Sequence, residues 1–308
     1  MARYIFTRII TMIVVLWVII TATFFMMKAL PGGPFASEKK IPETILRNIE
    51  RRYKLDRPLS EQYFDYLKNV VQFDLGPSFR LQGLTVNQLI GKGFPISATL
   101  GGLSILVSLF VGVPIGIWAA IRHNGVLDRT ASAFAVITAA APSFVIASAL
   151  QYFLAYKFKM FKAAGWGSPE QMVLPTLALC SFSLAWLMKL TRSSMLEVTS
   201  QDYVRTARAK GIPEMAIVWR HMLRNALIPV IASLAPLTAG ILTGSFIIES
   251  IFAIPGIGRD FVQSISNRDY TVTLGMTVFF GILLVGFTLI GDICTALVDP
   301  RVRLDKEG

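Results

Sequence analysis

The sequence predicts an all-α membrane protein with six transmembrane helices, and three observations carry that expectation. Hydrophobic residues make up 54% of the 308 and charged residues only 16%, with a mean hydropathy of +0.58. That leaves too few solvating groups to coat a soluble surface. Long uncharged runs recur along the whole chain and leave no soluble block larger than one loop. Lys and Arg gather in alternate short loops, as they do when positive charge stays on the cytoplasmic side. The net charge of +11 is therefore read as topology, because a nucleic-acid binder carries its basic face on a folded soluble domain. Cys180 and Cys294 lie inside apolar runs and read as small apolar side chains, not as a disulfide or zinc framework.

A bilayer core about 30 Å thick needs about 20 apolar helical residues, and the elements follow in order. Residues 1–8, with Arg3 and Arg8, form a cytoplasmic N-terminus, and 9–27 form the first span. This run is longer than the apolar region of a secretory signal, about 7 to 15 residues, and it ends in Met-Met-Lys-Ala-Leu-Pro, so it is retained. Residues 28–94 form an extracytoplasmic helical segment. Pro42 opens one helix with Ile45, Leu46, Ile49 and Tyr53 on a face. Pro58 opens a second, with Leu59, Tyr63, Tyr66, Leu67 and Val70 along one stripe. A third runs from Thr85, a candidate N-cap, through Ile90. Such helices either cap the membrane domain or meet a partner. Residues 95–298 form the core, with spans at about 96–121, 130–156, 172–188, 226–248 and 271–290, a cytoplasmic loop at 189–225, and a cytoplasmic C-terminus at 299–308.

The orientation rests on charge. With the N-terminus inside, the cytoplasmic segments hold fourteen Lys and Arg and the short outer loops five. The long 28–94 segment holds eleven more, but a loop of that length crosses largely regardless of charge. The spans are rich in breakers and small residues: Pro114, Pro142, Pro175, Pro229 and Pro236, with the pairs Gly112/Gly116 and Gly240/Gly244. These serve either ordinary close helix packing or a moving pathway.

The cytoplasmic loop is too long for a turn and too polar for the bilayer. Residues 202–210 suit a short helix, with Asp202 at its positive end and Lys210 at its negative end. Gly211 suits the left-handed position beyond a helix, and Pro213 prevents continuation. A second helix from Glu214 then runs towards span five.

This loop resembles the signature segment of the membrane subunits of ABC importers, Glu-Ala-Ala, three residues, Gly, nine residues, Ile-x-Leu-Pro. Arg205-Thr206-Ala207, three residues and Gly211 stand in that frame. Arg205 replaces the Glu, and the closing frame falls on His221-Met222-Leu223-Arg224, with the proline delayed to Pro229. Further stretches are similar to the oligopeptide branch: Phe24-Phe25-Met26 through Pro31-Gly32-Gly33-Pro34-Phe35, Asp74-Leu75-Gly76-Pro77-Ser78-Phe79, Pro142-Ser143-Phe144, and Leu190-Thr191-Arg192-Ser193-Ser194-Met195. Later come Phe252-Ala253-Ile254-Pro255-Gly256-Ile257-Gly258, Asn267-Arg268-Asp269-Tyr270 and Asp299-Pro300-Arg301. The resemblance to the B-type permease of oligopeptide importers covers nearly the whole chain.

That resemblance implies a type I importer permease fold and four kinds of partner: a homologous second permease, two cytoplasmic ATPases, an extracytoplasmic peptide-binding protein, and the lipid bilayer. The chain has no G-x-x-x-x-G-K-[ST] phosphate loop, so no cofactor is expected in it; ATP and Mg belong to the ATPase subunits. The resemblance assigns ATPase coupling to Tyr203, Arg205, Thr206, Ala207, Arg208, Ala209, Lys210 and Gly211. Tyr203 would anchor, Ala207 and Ala209 would allow close approach, the basic residues would pair with acidic groups, and Gly211 would be the hinge. A bulky acidic side chain at Ala207 is expected to uncouple transport and leave insertion intact. Glu249 and Asp292, rare ionisable groups beside the spans, are candidates for the translocation path, close enough to the interfaces to be solvated. Ile254, Pro255, Gly256 and Arg259, together with 28–94, are candidates for binding-protein docking.

Related permeases carry dipeptides, nickel or other small solutes, so the substrate rests on resemblance. A self-contained ion-coupled transporter is a poorer fit, since it would show duplicated halves and midplane charge. A membrane hydrolase lacks its motifs: H-E-x-x-H and G-x-S-x-G are absent, and His123 and His221 lie in separate segments.

Overall fold

The computed structural model describes residues 2–29, 51 and 54–298, and all its regular elements among these are helices. The helix expected around Ile41 to Tyr53 and the tail 299–308, with Arg301, Arg303 and Lys306, lie outside the described residues. Among the described residues four helices are long and apolar enough to cross a membrane, and up to six spans result if each of two bent pairs counts as one.

Helix α1 (Ala2–Ala29) exposes Ile9, Ile13, Val14 and Trp17 and packs its other side on the last helix. Helix α2 (Leu59–Val71) is the amphipathic segment after Pro58. Helix α3 (Val86–Ile121) starts where the sequence signals it. Thr85 Oγ1 accepts the Gln88 N–H at 3.2 Å, and Gln88 Oε1 accepts the Thr85 N–H at 3.1 Å, which satisfies two of the helix's orphan donors. It passes Pro114, which has no N–H to donate, with a π-turn over Ser108–Gly112.

The expected continuous helix over 130–156 is instead α4 (Val126–Ala140) and α5 (Ser143–Lys157), set at 109° to each other. Pro142 disfavours the helical region for the residue before it, and Ala141 accordingly adopts φ −85°, ψ 125°. Helix α6 (Pro169–Thr199) begins with Pro at its first position and runs 31 residues. It extends well past the uncharged run 172–188, because charge ends a bilayer span without ending a helix.

Helix α7 (Asp202–Ala209) and α8 (Glu214–Ala226) form the helix, break and helix of the cytoplasmic loop. A 48° bend joins α8 to α9 (Ile228–Leu242). The run expected to continue to Ile248 stops at Leu242, because Gly244 is left-handed at φ +83°. Helices α10 (Phe246–Ile251), α11 (Ile257–Ser266) and α12 (Tyr270–Val298) complete the chain.

Helix α6 is the hub, packed on α3, α4, α5 and α9, while α12 joins α9 to α1. Close packing there comes from small residues. A Cβ on Gly116 would lie 2.5 Å from the Met188 carbonyl, and one on Gly112 would lie 2.9 Å from that of Leu184. Backbone therefore meets backbone between α3 and α6, and Ser108 bridges to Ser183 across them, Oγ to Oγ 2.7 Å. Gly240 of the other pair faces open space, so only the first pair makes this contact.

Candidate coupling and translocation sites

Helix α7 ends in a Schellman-type closure: the Gly211 N–H donates to the Arg208 carbonyl at 2.9 Å and the Ile212 N–H to that of Ala207 at 3.3 Å. This geometry needs Gly211 at φ +75°. Two side chains, Val204 and Ala207, face inward, three residues apart on one face. They join a buried cluster with Ala120, Met195, Ile217, Met222 and Ala226. The other six residues of α7 are exposed, among them Tyr203, Arg205, Thr206, Arg208 and Ala209, and Lys210 just beyond is exposed too.

Two placements in α7 differ from the sequence reading. Ala207, expected on the approach surface, is 5% exposed and seats the helix on its own bundle. Arg208, expected to reach outward, pairs with Glu214 across the break, Nε–Oε2 3.2 Å and Nη2–Oε1 2.6 Å. Tyr203 Oη accepts from Asn225 Nδ2 at 2.8 Å, which leaves its ring at the surface.

The two ionisable path candidates are committed to structural partners. Glu249, expected at a solvated interface, is 0% exposed. Ser97 Oγ donates to its Oε1 at 2.7 Å and the Arg259 N–H to its Oε2 at 2.9 Å, while the Ile257 N–H donates to Ser97 Oγ at 2.9 Å. The carboxylate thus sits at the N-terminus of α11, where orphan N–H groups and the helix dipole favour negative charge. Gly244 and Gly256 wall it in so closely that a Cβ on either would come within 2.5 Å of its carboxyl atoms. Burial still dominates and raises its pKa above the ordinary 4.5, against the Ser97 and Arg259 donors that lower it. Asp292 is half-buried and pairs with Arg8, Oδ2–Nε 3.1 Å, tying α12 to α1.

Of the docking candidates, Pro255 is exposed and Arg259 half-buried, but Ile254 and Gly256 are buried. Ile254 packs with Leu100, Ala147, Leu174 and Phe252.

Two polar clamps carry residues that sequence reasoning left without a role. Asp269, 3% exposed, accepts from the Ser78 hydroxyl, the Phe79 and Arg80 N–H groups (each 3.2 Å) and the Val272 N–H (3.3 Å). Arg80 Nε also donates to the Asn267 carbonyl at 2.8 Å. The motifs Asp74–Phe79 and Asn267–Tyr270, far apart in sequence, are therefore one contact. At the other clamp, Asp128 of α4 is 3% exposed and takes two guanidinium donors from Arg192 of α6, one at 2.9 Å, plus the Asn124 N–H at 2.9 Å. His123 Nδ1 lies 3.2 Å from the same carboxylate. The signal for each lay in the motifs, which hold both Ser78 and Asp269 in one case and Arg192 in the other.

A cavity of about 350 Å³ lies at the α4–α5 break, against α6 and α9. Thr138, Ser143, Ser181, Ser183 and Ser245 line it with Phe182, and no charged residue among the described residues does. Ile146, Leu179, Leu237, Ile241 and three alanines supply the rest of the wall, so hydroxyls and apolar side chains share an uncharged chamber beside a broken span.

This architecture is that of a membrane permease. A chain of the inward-facing MetNI methionine ABC transporter superposes with a TM-score of 0.55 over 69% of this chain and 97% of that one, at 17% identity. The fold is thus the type I ABC importer permease fold. Two family models match, the binding-protein-dependent transport system inner membrane component over residues 112–304 and its N-terminal counterpart over 1–100. The chain belongs to this family, the membrane permeases of ABC importers, whose members are transport subunits. It is 46% identical to the dipeptide transport system permease protein DppB of Bacillus subtilis over 308 residues, all of both chains. It is 41% identical to the oligopeptide transport system permease protein OppB of Salmonella typhimurium over 305 residues, 98% of this chain and 100% of that one.

Proposed function

We propose that this permease carries oligopeptides into the cytoplasm as half of a translocation path, with a homologous permease as the other half. Two cytoplasmic ATPases bind ATP and Mg and drive it, and an extracytoplasmic binding protein delivers the peptide. Both termini are cytoplasmic, and 28–94 is outside. The observation that carries this reading is the geometry of α7: a short helix beyond the spans, seated by Val204 and Ala207, that presents six of its eight residues outward. Tyr203, Arg205, Thr206, Ala209 and Lys210 form the face that meets the ATPase groove; Ala207 and the Arg208–Glu214 pair hold it at its angle. The hydroxyl-lined cavity at the α4–α5 break belongs to the path, in place of Glu249 and Asp292. A chamber without charge suits cargo of variable side chains, because a strong site would trap it.

Dipeptide import is the second reading, favoured by the relative named for dipeptide transport at 46% identity. Vesicles containing the four-subunit complex and its binding protein separate the two: ATP-driven uptake of a pentapeptide supports the oligopeptide reading, and uptake confined to dipeptides selects the other. Uptake that needs an ion gradient and no ATPase would overturn both.

A further inference from the structure

A second cavity, of about 280 Å³, lies between the end of α1, the face of α2, the Asp74–Phe79 loop and the start of α12. Neither the coupling helix nor the path uses it. Its polar groups are unevenly satisfied. Tyr66 and Tyr270 both line it, and the hydroxyl of each is buried with no hydrogen-bond partner among the described residues; Tyr270 is 3% exposed. Buried hydroxyls are normally paired, and an orphan costs the desolvation of the group. Lys28 is half-buried beside them, and among the described residues its ammonium meets the Gln62 amide oxygen and the Phe24 ring, 5.8 Å to the centroid, and no carboxylate. The acidic groups of the cavity, by contrast, are engaged. Asp65 lies 3.6 Å from Arg57 and 4.0 Å from Lys54, and Asp74 Oδ1 accepts the Gly76 N–H at 3.0 Å. An ammonium and two hydroxyls without acceptors, all at one cavity, suit an anion that accepts several hydrogen bonds.

Depth identifies its source. Lys28 stands at the end of the apolar run Phe6–Ala29 and Tyr270 at the start of Tyr270–Cys294, the level at which Tyr and Lys meet lipid headgroups. Phe24 and Leu274 supply apolar wall on the span side. We infer that this cavity binds the phosphate headgroup of a phospholipid, with the Lys28 ammonium and the Tyr66 and Tyr270 hydroxyls as donors. The bound lipid fastens the peripheral span α1 to the core and to the Asp74–Phe79 loop, and the inference stands whichever peptide length is carried.

Native mass spectrometry of the detergent-purified complex, delipidated and then titrated with dioleoylphosphatidylglycerol or dioleoylphosphatidylethanolamine, tests it. One phospholipid is expected to remain bound, and Lys28→Gln, Tyr66→Phe and Tyr270→Phe should each weaken its binding by about tenfold, the scale for removing a hydrogen bond to a charged group. Lys162→Gln, at an exposed pair with Glu170, should leave it unchanged. If Lys28→Gln does not accumulate, the Tyr→Phe variants decide, because each removes only an oxygen. Equal binding by all variants, or equal binding of dioleoylglycerol, which lacks the phosphate, would overturn the assignment. So would displacement of the lipid by a tripeptide with a free carboxylate, which would make the site a peptide site.

Discussion

Arg208 and Glu214 face each other across the Gly211-Ile212-Pro213 break and join through two hydrogen-bonded contacts, 3.2 and 2.6 Å. The pair spans the break between α7 and α8. Both side chains are substantially exposed, 40% and 52%, so its stability contribution is under about 1 kcal/mol. Arg208→Ala or Glu214→Ala should therefore leave the melting temperature of the purified complex nearly unchanged and lower peptide-stimulated ATP hydrolysis. The charge-swapped double variant should recover part of the loss, and a swap that recovers nothing would separate the pair from coupling.

Ala207 and Thr206 are neighbours with opposite fates. Ala207→Glu buries a carboxylate in the Val204, Met195 and Ile217 cluster, and an unpaired buried charge costs several kcal/mol. The variant should show reduced membrane levels or protease sensitivity in the 200–226 loop. Thr206→Glu points to solvent and should accumulate normally while losing uptake, which immunoblotting and vesicle transport together will show.

Gly211→Ala probes the turn itself. A Cβ there meets nothing within 4 Å, so the cost is the left-handed backbone alone, about 1 kcal/mol. Uptake should fall modestly, and Gly211→Asn, which tolerates this conformation better, should fall less.

The Glu249 carboxyl gives a pH signature. Its folded pKa is raised above 4.5, chiefly by burial, so the native state holds the proton more tightly than the unfolded one. The stability it contributes is fully present below about pH 4.5 and is lost as pH rises through the folded value. Glu249→Gln keeps the Ser97 contact and removes the titration. Melting curves in detergent from pH 4.5 to 8 should fall with pH in the wild type and flatten in the variant; parallel curves would assign the slope to other groups.

Asp269 holds the Ser78–Arg80 turn to the first turn of α12 through four accepted hydrogen bonds. Asp269→Ala strands those donors, at roughly 1–3 kcal/mol for each one left buried. Limited proteolysis should open the 74–81 loop before the spans.

The helical class, the membrane setting, the short helix over 202–209 and its stop at Gly211 were legible in the sequence, because each follows from local composition, charge or a backbone preference of one residue. Proline effects were legible only in kind: Pro142 stood among the residues that allow close packing or local unwinding, but the span was expected to run through it, and the 109° turn between α4 and α5 emerges only in the structure. The end of the fifth apolar run at Leu242 instead of Ile248 was hidden, since hydrophobicity continues through Gly244 and hydrophobicity sets bilayer fit, not helix length. Side-chain roles were decided by tertiary structure alone. Whether Ala207 faces a partner or its own core, and whether Glu249 meets solvent or the N-terminus of α11, depends on which distant residues surround it. Ser97 lies 152 positions from Glu249, and a buried polar group takes its role from the partner that satisfies it.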